Sequence, residues 1–177
     1  MNPRTIALVG AECSGKSTLA GALAEVLPAE LVGEQLRSFV EREGRVPTQG
    51  EQPGLMHAQI AAERAAAARA SQWVVSDAGA LMTAVYSKLY YADDSLIEAA
   101  VAHHRTGYAL TFWCDIDLPW AGDEGQRDGA AYRAGGHSII AEVLRDLPFE
   151  MVRIAGTPPQ RVRAALGALT DRGWRAP

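Results

Sequence analysis

The sequence predicts a three-layer α/β domain, in which a mainly parallel five-stranded sheet carries helices on both faces. Short apolar runs alternate with segments of helical periodicity along the whole chain of 177 residues. Strands separated by helices pair in parallel and are buried on both sides. The predicted strands are 5–9, 30–33, 73–77, 108–114 and 150–155. Ligands of such sheets bind beyond the carboxyl ends of the strands, so functional residues are expected there.

A glycine-rich loop follows the first strand and precedes a helix predicted from Lys16 to Leu27. The loop Gly10–Thr18 has the pattern G-x-x-x-x-G-K-S-T, whose glycines let successive backbone N–H groups point at a polyphosphate. Lys16 would add charge near the β- and γ-phosphates, and Ser17 would offer its hydroxyl to Mg²⁺. The pattern predicts a P-loop NTPase fold that binds ATP or GTP. The predicted nucleotide-binding residues are Gly10, Glu12, Cys13, Ser14, Gly15, Lys16, Ser17 and Thr18.

Composition narrows the class of protein. The net charge of −4 gives no basic excess for nucleic-acid binding, and no apolar run reaches the length of a membrane span. We expect one domain over residues 1–177, with no room for a signal peptide before the first strand. Cys13 and Cys114 are expected as free thiols in a reducing cytoplasm.

Asp77 ends the third predicted strand. A carboxylate there can reach Mg²⁺ or accept a proton from an attacking hydroxyl, which are two needs of phosphoryl transfer. The alternative is an N-cap for the helix that follows. His103 and His104 have no partners at metal-ligand spacing and are expected on a helix surface.

The helical insertion at about 34–71 is the expected place for a second substrate. Glu34 and Arg37 lie three residues apart, so both can face one side of a helix. They are either a polar pair that lines the acceptor pocket or an exposed salt bridge. Gln59 is either a pocket residue or merely exposed.

The polar, glycine-rich segment at about 119–136 has the composition of a mobile lid. Arginines on such a lid neutralise the charge of a transferred phosphoryl group, and Arg127 is preferred over Arg133 for this role. Trp120 is a candidate for stacking. The alternative is a solvated surface loop.

These motifs together resemble the ribosylnicotinamide kinase domain of the NadR family, a group of P-loop nucleoside and nucleotide kinases with AAA-type ATPase relatives. The P-loop with Glu12 carries most of the resemblance. Weaker matches in the same order are Glu34, Arg37, Phe39 and Val40, then Gln59, Asp77 and Thr83, then Trp120, Asp123, Gly125 and Arg127, and finally Gly156 and Arg161.

The resemblance implies transfer of the ATP γ-phosphoryl group to the 5′-hydroxyl of nicotinamide riboside, with Mg²⁺, in NAD salvage. It implies that Lys16, Asp77 and Arg127 are catalytic and that Ser17 and Asp77 hold the metal. Gly156 would lie on the adenine side of the nucleotide. The implied acceptor-binding residues are Glu34, Arg37, Gln59, Asp77, Trp120 and Asp123.

Two departures from that family concern the acceptor. Gly33 stands where the family commonly has an aromatic residue, and Ala78 and Gly79 replace the Thr and the second Asp of its D-T-D segment. A kinase for a different small acceptor, or a P-loop regulator that binds ATP or GTP, therefore stays open as an alternative. A GTPase switch is disfavoured because the chain has no N-K-x-D guanine signature.

Overall fold

The computed structural model describes residues 3–120, 129–145 and 151–174. Its five strands form one sheet in the order β2-β3-β1-β4-β5, and every pair is parallel. The strands are β1 Arg4–Val9, β2 Glu30–Val32, β3 Trp73–Asp77, β4 Leu110–Cys114 and β5 Met151–Ile154. The predicted α/β class is confirmed.

Seven α-helices connect or follow the strands within the described residues. They are α1 Lys16–Val26, α2 Gln35–Glu43, α3 Gln52–Arg69, α4 Ala80–Tyr91, α5 Ile97–Gly107, α6 Ala130–Leu144 and α7 Pro158–Asp171. A short 3-10 turn at Gln49–Glu51 precedes α3.

Strand β1 is the centre of the sheet and separates two hydrophobic cores. Ile6 and Leu8 pack into the core that includes α1 and α7, whereas Val9 packs into the core built by α4 and α6. The alternation follows from the period of two along a strand. The P-loop leaves the sheet at this buried central position, so its start is rigidly held.

The third helix, α3, begins at Gln52. Pro53 lies in the first turn, where its missing N–H costs nothing. Thr48 and Glu51 form a capping box on the preceding turn, which starts the helix.

The last residues of the predicted lid, from Ala130 onward, form the first turns of α6 instead of a loop. Gly135 and Gly136 lie inside that helix and permit close packing, since a Cβ on Gly135 would lie 3.0 Å from Leu89 Cδ1. These two glycines, which the sequence predicted to lie in a loop, thus lie in a helix where it packs against its neighbours. No helix in the described parts of the chain is both long and apolar enough to cross a membrane.

Candidate functional site

The P-loop joins β1 to α1, and its conformation depends on its glycines. Gly15 has φ of 79°, in the left-handed region, and a Cβ there would lie 2.9 Å from Leu118 Cδ1. A Cβ on Gly10 would lie 2.6 Å from Ser14 Oγ. Both positions therefore require glycine, which explains the two glycines of the motif in steric terms.

Lys16 begins α1 and is buried, with its Nζ donating a 3.1 Å hydrogen bond to the Ala11 carbonyl. The ammonium group therefore lies across the loop, next to the Ala11 carbonyl. Ser17 and Thr18, in the first turn of α1, are exposed. The loop thus presents a cation, two hydroxyls and a helix N-terminus on one side, which together suit a polyphosphate.

A cleft of about 960 Å³ opens in front of this loop. One end is lined by residues 12–18, and the other by α2, the segment after it and α4. Acceptor-side residues on its wall are Glu34, Leu36, Arg37, Val40, Glu41, Arg45, Gln52, Tyr86, Tyr90 and Tyr91. The P-loop and the predicted acceptor pair Glu34 and Arg37 therefore share one cavity.

Asp77 ends β3, directly opposite Leu8 of β1 in the parallel register. Its side chain is buried, and its Oδ1 has no hydrogen-bond partner among the described residues. The N-cap of α4 is Gly79, so the structure gives no support to the capping alternative for Asp77. A buried carboxylate oxygen without a partner is costly in a fold, and such groups are common where a metal or substrate binds.

Glu34 lies at the N-cap of α2, on the wall of the cleft. Burial raises the pKa of its carboxyl, and nearby Asp77 adds to the rise, whereas Lys16 and Arg37 oppose it. Glu34 and Arg37, both described, form no salt bridge with each other. Both side chains line the cleft, in agreement with the interpretation of the pair as pocket residues.

Gln59 is buried in α3 and occupied by protein partners. Its Oε1 accepts a 3.0 Å hydrogen bond from Gln35 N, and its Nε2 donates to Ser76 Oγ at 3.2 Å and to Glu63 Oε1 at 3.4 Å. It does not line the cleft. Gln59 thus supports the start of α2 next to Glu34, which differs from the direct contact with the acceptor that the sequence predicted.

The same polar cluster contains residues that the sequence reasoning misplaced. His103 pairs with the buried Glu63 at 3.1 Å, and Tyr108 Oη donates to both oxygens of Glu63 at 2.9 and 3.0 Å. His104 is buried against Thr111 Oγ1 at 2.6 Å, and burial lowers its pKa to about 4. The expectation that both histidines lie on a helix surface is wrong. The sequence around His103 gave no indication of this contact, because Glu63 is distant in the chain.

Aromatic side chains on the acceptor side also escaped sequence analysis. Tyr86 stacks on Tyr90 at 6.1 Å, and Tyr90 stacks on Tyr132 of α6 at 5.7 Å. Tyr86 and Tyr90, like Tyr91 of the same helix, line the cleft. Their i,i+4 spacing, which places them on one helix face, was the signal available. They line the same cleft as Glu34, the residue that follows Gly33.

Gly79 has a structural cause of its own. A Cβ at this position would lie 2.7 Å from Tyr108 Oη, and the same hydroxyl accepts a 3.1 Å hydrogen bond from Ala80 N. Tyr108 therefore supplies the N-terminal cap of α4 that an acidic residue at position 79 could otherwise provide.

The lid residues fall largely outside the described part of the chain. Asp123 and Arg127 lie outside it, and both assignments stay predictions. Trp120 is half-buried at its edge. Arg133, the second arginine considered, lies in α6 rather than in a loop, and it is buried against the P-loop, where it donates to the Cys13 carbonyl at 3.2 Å.

A second, smaller cavity of about 220 Å³ lies on the other side of α1, between the P-loop and the start of α7. Its walls are mostly apolar and are formed by Gly15, Thr18, Leu19, Ala22, Leu118, Pro158, Pro159, Arg161 and Val162. Gly156, with φ of 96°, lies just before α7, and its N–H donates to Asp117 Oδ2 at 2.6 Å.

The donor set fits Mg²⁺ only together with phosphate oxygens. Among the described residues, no group of three or more His, Cys, Asp or Glu side chains is arranged to hold a metal ion. Ser17 is exposed on the cleft, whereas Asp77, whose Oδ1 is unpaired, is buried and does not line the cleft. A hydroxyl and a carboxylate are oxygen ligands that Mg²⁺ accepts when substrate phosphates and water complete its shell. Neither Cys13 nor Cys114 forms a disulfide bond, as predicted.

Comparison with solved structures places the fold among nucleoside and nucleotide kinases. The NadR protein in complex with NR superposes with a TM-score of 0.78 at 18% identity, over 96% of this chain and 50% of the other. Thymidylate kinase from Candida albicans gives 0.69 at 14% identity, over 97% and 93% of the two chains. Deoxyadenosine kinase from M. mycoides gives 0.67 at 12% identity, over 95% and 99%. The chain spans about half the length of the NadR chains.

Sequence comparison gives the family. No curated protein shows significant sequence similarity to the chain. The AAA_28 family model, described as an AAA domain, matches residues 5–161, which include the P-loop, Asp77 and Arg161. The resemblance to NadR and the predicted P-loop fold are therefore confirmed at the level of fold, and the chain belongs to the AAA_28 family of AAA domains.

Proposed function

We propose that the protein is an ATP-dependent phosphotransferase that phosphorylates a nucleoside-like small molecule, with the 5′-hydroxyl of nicotinamide riboside as the first choice of acceptor. The observation that carries the proposal is the shared cleft of about 960 Å³, which runs from the P-loop to Glu34, Arg37 and the α4 tyrosines. A donor phosphate site and an acceptor compartment in one cavity are what a direct transfer requires.

The donor side supports a purine nucleoside triphosphate. Polyphosphate would lie in the P-loop against Lys16, and the base would enter the apolar slot that Leu118 and Pro158 line. The chain has no N-K-x-D signature for guanine, which favours ATP over GTP. An ATP-analogue complex of the structurally similar NadR protein supports the same assignment.

The acceptor side supports a ribosyl group with a flat, cationic ring. Glu34 would accept hydrogen bonds from sugar hydroxyls, and Tyr86 and Tyr90 offer aromatic faces on the same wall. Nicotinamide riboside carries a pyridinium charge, which aromatic faces and carboxylates both attract. The similar NadR structure contains NR, which supports this acceptor. Arg37 would hold a polar group at the rim, and NAD salvage in the cytoplasm would be the setting.

The chain's residues would share the work of transfer. Asp77 would accept the proton of the attacking hydroxyl through its unpaired Oδ1, and Lys16 would neutralise charge on the phosphates. Ser17 and Asp77 would hold Mg²⁺, which when bound offsets the charge of the β- and γ-phosphates. Arg127 on the lid would stabilise the transferred group, with Trp120 and Asp123 nearby.

A panel of acceptors tests the proposal. ADP release is coupled to a fluorescent readout while nicotinamide riboside and the common nucleosides are supplied one at a time. The proposal expects one of them to raise ADP release well above the rate with water alone. Tight ATP binding with no acceptor-dependent release would instead support the regulatory alternative, and release only with another small acceptor would reassign the substrate.

The acceptor wall has its own test. Glu34→Gln removes the negative charge of the side chain. Tyr90→Phe is its control, because Phe keeps the aromatic ring and removes only the hydroxyl. We expect Glu34→Gln to raise KM for nicotinamide riboside about tenfold or more, as loss of a hydrogen bond to a charged group does. Tyr90→Phe should leave that KM nearly unchanged. A KM for nicotinamide riboside in Glu34→Gln as little changed as in Tyr90→Phe would exclude Glu34 from the acceptor site.

A further inference from the structure

Two buried arginines approach the P-loop, and neither of them lines the larger cleft. Arg133 of α6 and Arg161 of α7 are only 7% and 1% exposed. A guanidinium group is buried at such cost only where its N–H donors are used. Both of them spend donors on backbone carbonyls rather than on carboxylates alone, which points to control of backbone orientation.

Arg161 links three segments at the carboxyl end of the sheet. Its Nη1 donates to the Ser14 carbonyl at 2.9 Å, and its Nε donates to the Gly156 carbonyl at 2.7 Å. Its Nη2 donates to the Asp115 carbonyl at 3.1 Å and to the Asp117 carboxylate. The P-loop is thereby fixed to the ends of β4 and β5.

Arg133 makes the corresponding contacts from the other helix. Its Nη2 donates to the Cys13 carbonyl at 3.2 Å and to the Leu118 carbonyl at 2.8 Å. The two arginines thus hold consecutive carbonyls of the P-loop, Cys13 and Ser14, and both also bind the segment that follows β4. Arg133 in addition ties the first turn of α6 to the loop.

The geometry of the peptide unit gives these contacts a consequence. In a trans peptide the C=O and the following N–H point in opposite directions. Carbonyls of Cys13 and Ser14 that point outward to the arginines therefore turn Ser14 N–H and Gly15 N–H inward. Inside the loop, Ser14 N and Lys16 Nζ already converge on the Ala11 carbonyl at 3.3 and 3.1 Å.

We propose that Arg133 and Arg161 are positioning residues that hold the anion-binding conformation of the P-loop by its outward carbonyls. A cationic donor on each carbonyl also polarises the peptide, which strengthens the inward N–H as a donor to phosphate. The inference rests on the nucleotide site of the proposed function. It assigns Arg133 a role on the P-loop itself, separate from any role of the lid arginine.

Binding of ADP, compared with AMP, tests this clamp without any acceptor. The variants are Arg133→Met, Arg161→Met and their Lys counterparts, with Arg163→Met as control because it is exposed on the same helix as Arg161. Calorimetry gives Kd for both nucleotides, and hydrogen exchange of residues 12–16 reports the loop directly. Lys keeps the charge but loses the two-pronged donor, so its effect should be intermediate.

We expect each Met variant to raise Kd for ADP about tenfold or more, the usual effect of losing a charge-assisted hydrogen bond. In Arg133→Met, Kd for AMP should change less than about twofold by the same arithmetic, because Arg133 does not line the slot proposed for the base and AMP lacks the phosphates held by the loop's inner N–H groups. Exchange of the loop amides should accelerate, and Arg163→Met should match the wild type.

Three results would overturn the clamp. One is an unchanged Kd for ADP in Arg133→Met. If Arg161→Met does not fold, Arg133→Met and Arg161→Lys are the variants that test the clamp. Another is an equal loss for ADP and AMP, which would indicate general damage. Wild-type protein that does not bind ADP would refute the nucleotide site and the clamp together, whereas a failed acceptor panel would leave the clamp intact.

Discussion

The hydroxyl of Tyr108 occupies the space into which any side chain at Gly79 would project, with only 2.7 Å between Oη and an ideal Cβ. The same hydroxyl caps Ala80 N and donates to Glu63. One tyrosine at the C-terminal end of α5 thus joins the end of β3, the start of α4 and the buried face of α3.

Gly79→Ala should therefore destabilise the protein by roughly 1–3 kcal/mol, the range for overpacking a tight site. Urea unfolding measures the change. Gly167→Ala is the matched control, because a Cβ there meets nothing within 4 Å in α7. The control should be neutral or up to about 1 kcal/mol more stable, since Ala favours helix. A Gly79→Ala midpoint equal to that of the wild type would show that Tyr108 moves aside freely.

Asp77→Asn should lower kcat by on the order of 10²–10⁴ while the fold stays intact, because a positioned general base contributes that much. Asn keeps the volume of the side chain but cannot take a proton. Circular dichroism and urea unfolding check the fold. A rate equal to that of the wild type would return Asp77 to a structural role.

Arg127→Ala should lower kcat by on the order of 10³ or more if this arginine stabilises the transferred phosphoryl group. KM for ATP should change little, since the group acts after the nucleotide is bound. Arg133→Met should show the reverse pattern, with the loss mainly in ATP affinity. The two kinetic profiles together separate the lid arginine from the loop arginine, and an unchanged kcat would exclude Arg127.

His104 should make the protein sensitive to acid. Burial lowers its pKa in the folded state to about 4, from an ordinary value of 6.5. The unfolded chain therefore takes up a proton first as the pH falls below 6.5, and stability contributed above that pH is lost on the way to pH 4. The loss amounts to up to about 3 kcal/mol.

Urea unfolding at pH 7.5 and pH 4.5 measures this effect in the wild type and in His104→Gln. Gln can keep a hydrogen bond to Thr111 but does not titrate. The variant should lose less stability than the wild type between the two values of pH. Equal losses would show that His104 is protonated in the folded protein or exposed in solution.

The local parts of this fold were predictable from the sequence. Alternating apolar runs gave all five strands, and the pattern around Gly15 and Lys16 gave the P-loop. Short-range chemistry sufficed there, because strand periodicity and loop sterics depend on neighbouring residues. Glu34 lines the cleft, as the interpretation of Glu34 and Arg37 as pocket residues predicted, because it follows the carboxyl end of β2.

The parts that failed depend on partners far along the chain. Gln59 read as a pocket residue because nothing local revealed Ser76 and Glu63 as its partners. His103 and His104 read as surface residues for the same reason. Gly135 and Gly136 were predicted to lie in a loop, because nothing local revealed the close approach of Gly135 to Leu89 of α4. The contacts of Arg133 with the Cys13 and Leu118 carbonyls could not be predicted either, because sequence spacing carries no information about them.

The most direct test of the account is to follow the γ-phosphoryl group itself. ATP labelled at the γ-phosphate is incubated with nicotinamide riboside and the protein, and the product is identified by mass spectrometry, with Lys16→Ala as the inactive control. The account predicts label on a 5′-phosphate of the riboside with the wild type and none with Lys16→Ala. Label that appears only as inorganic phosphate, with this acceptor and with every nucleoside of the panel, would contradict it.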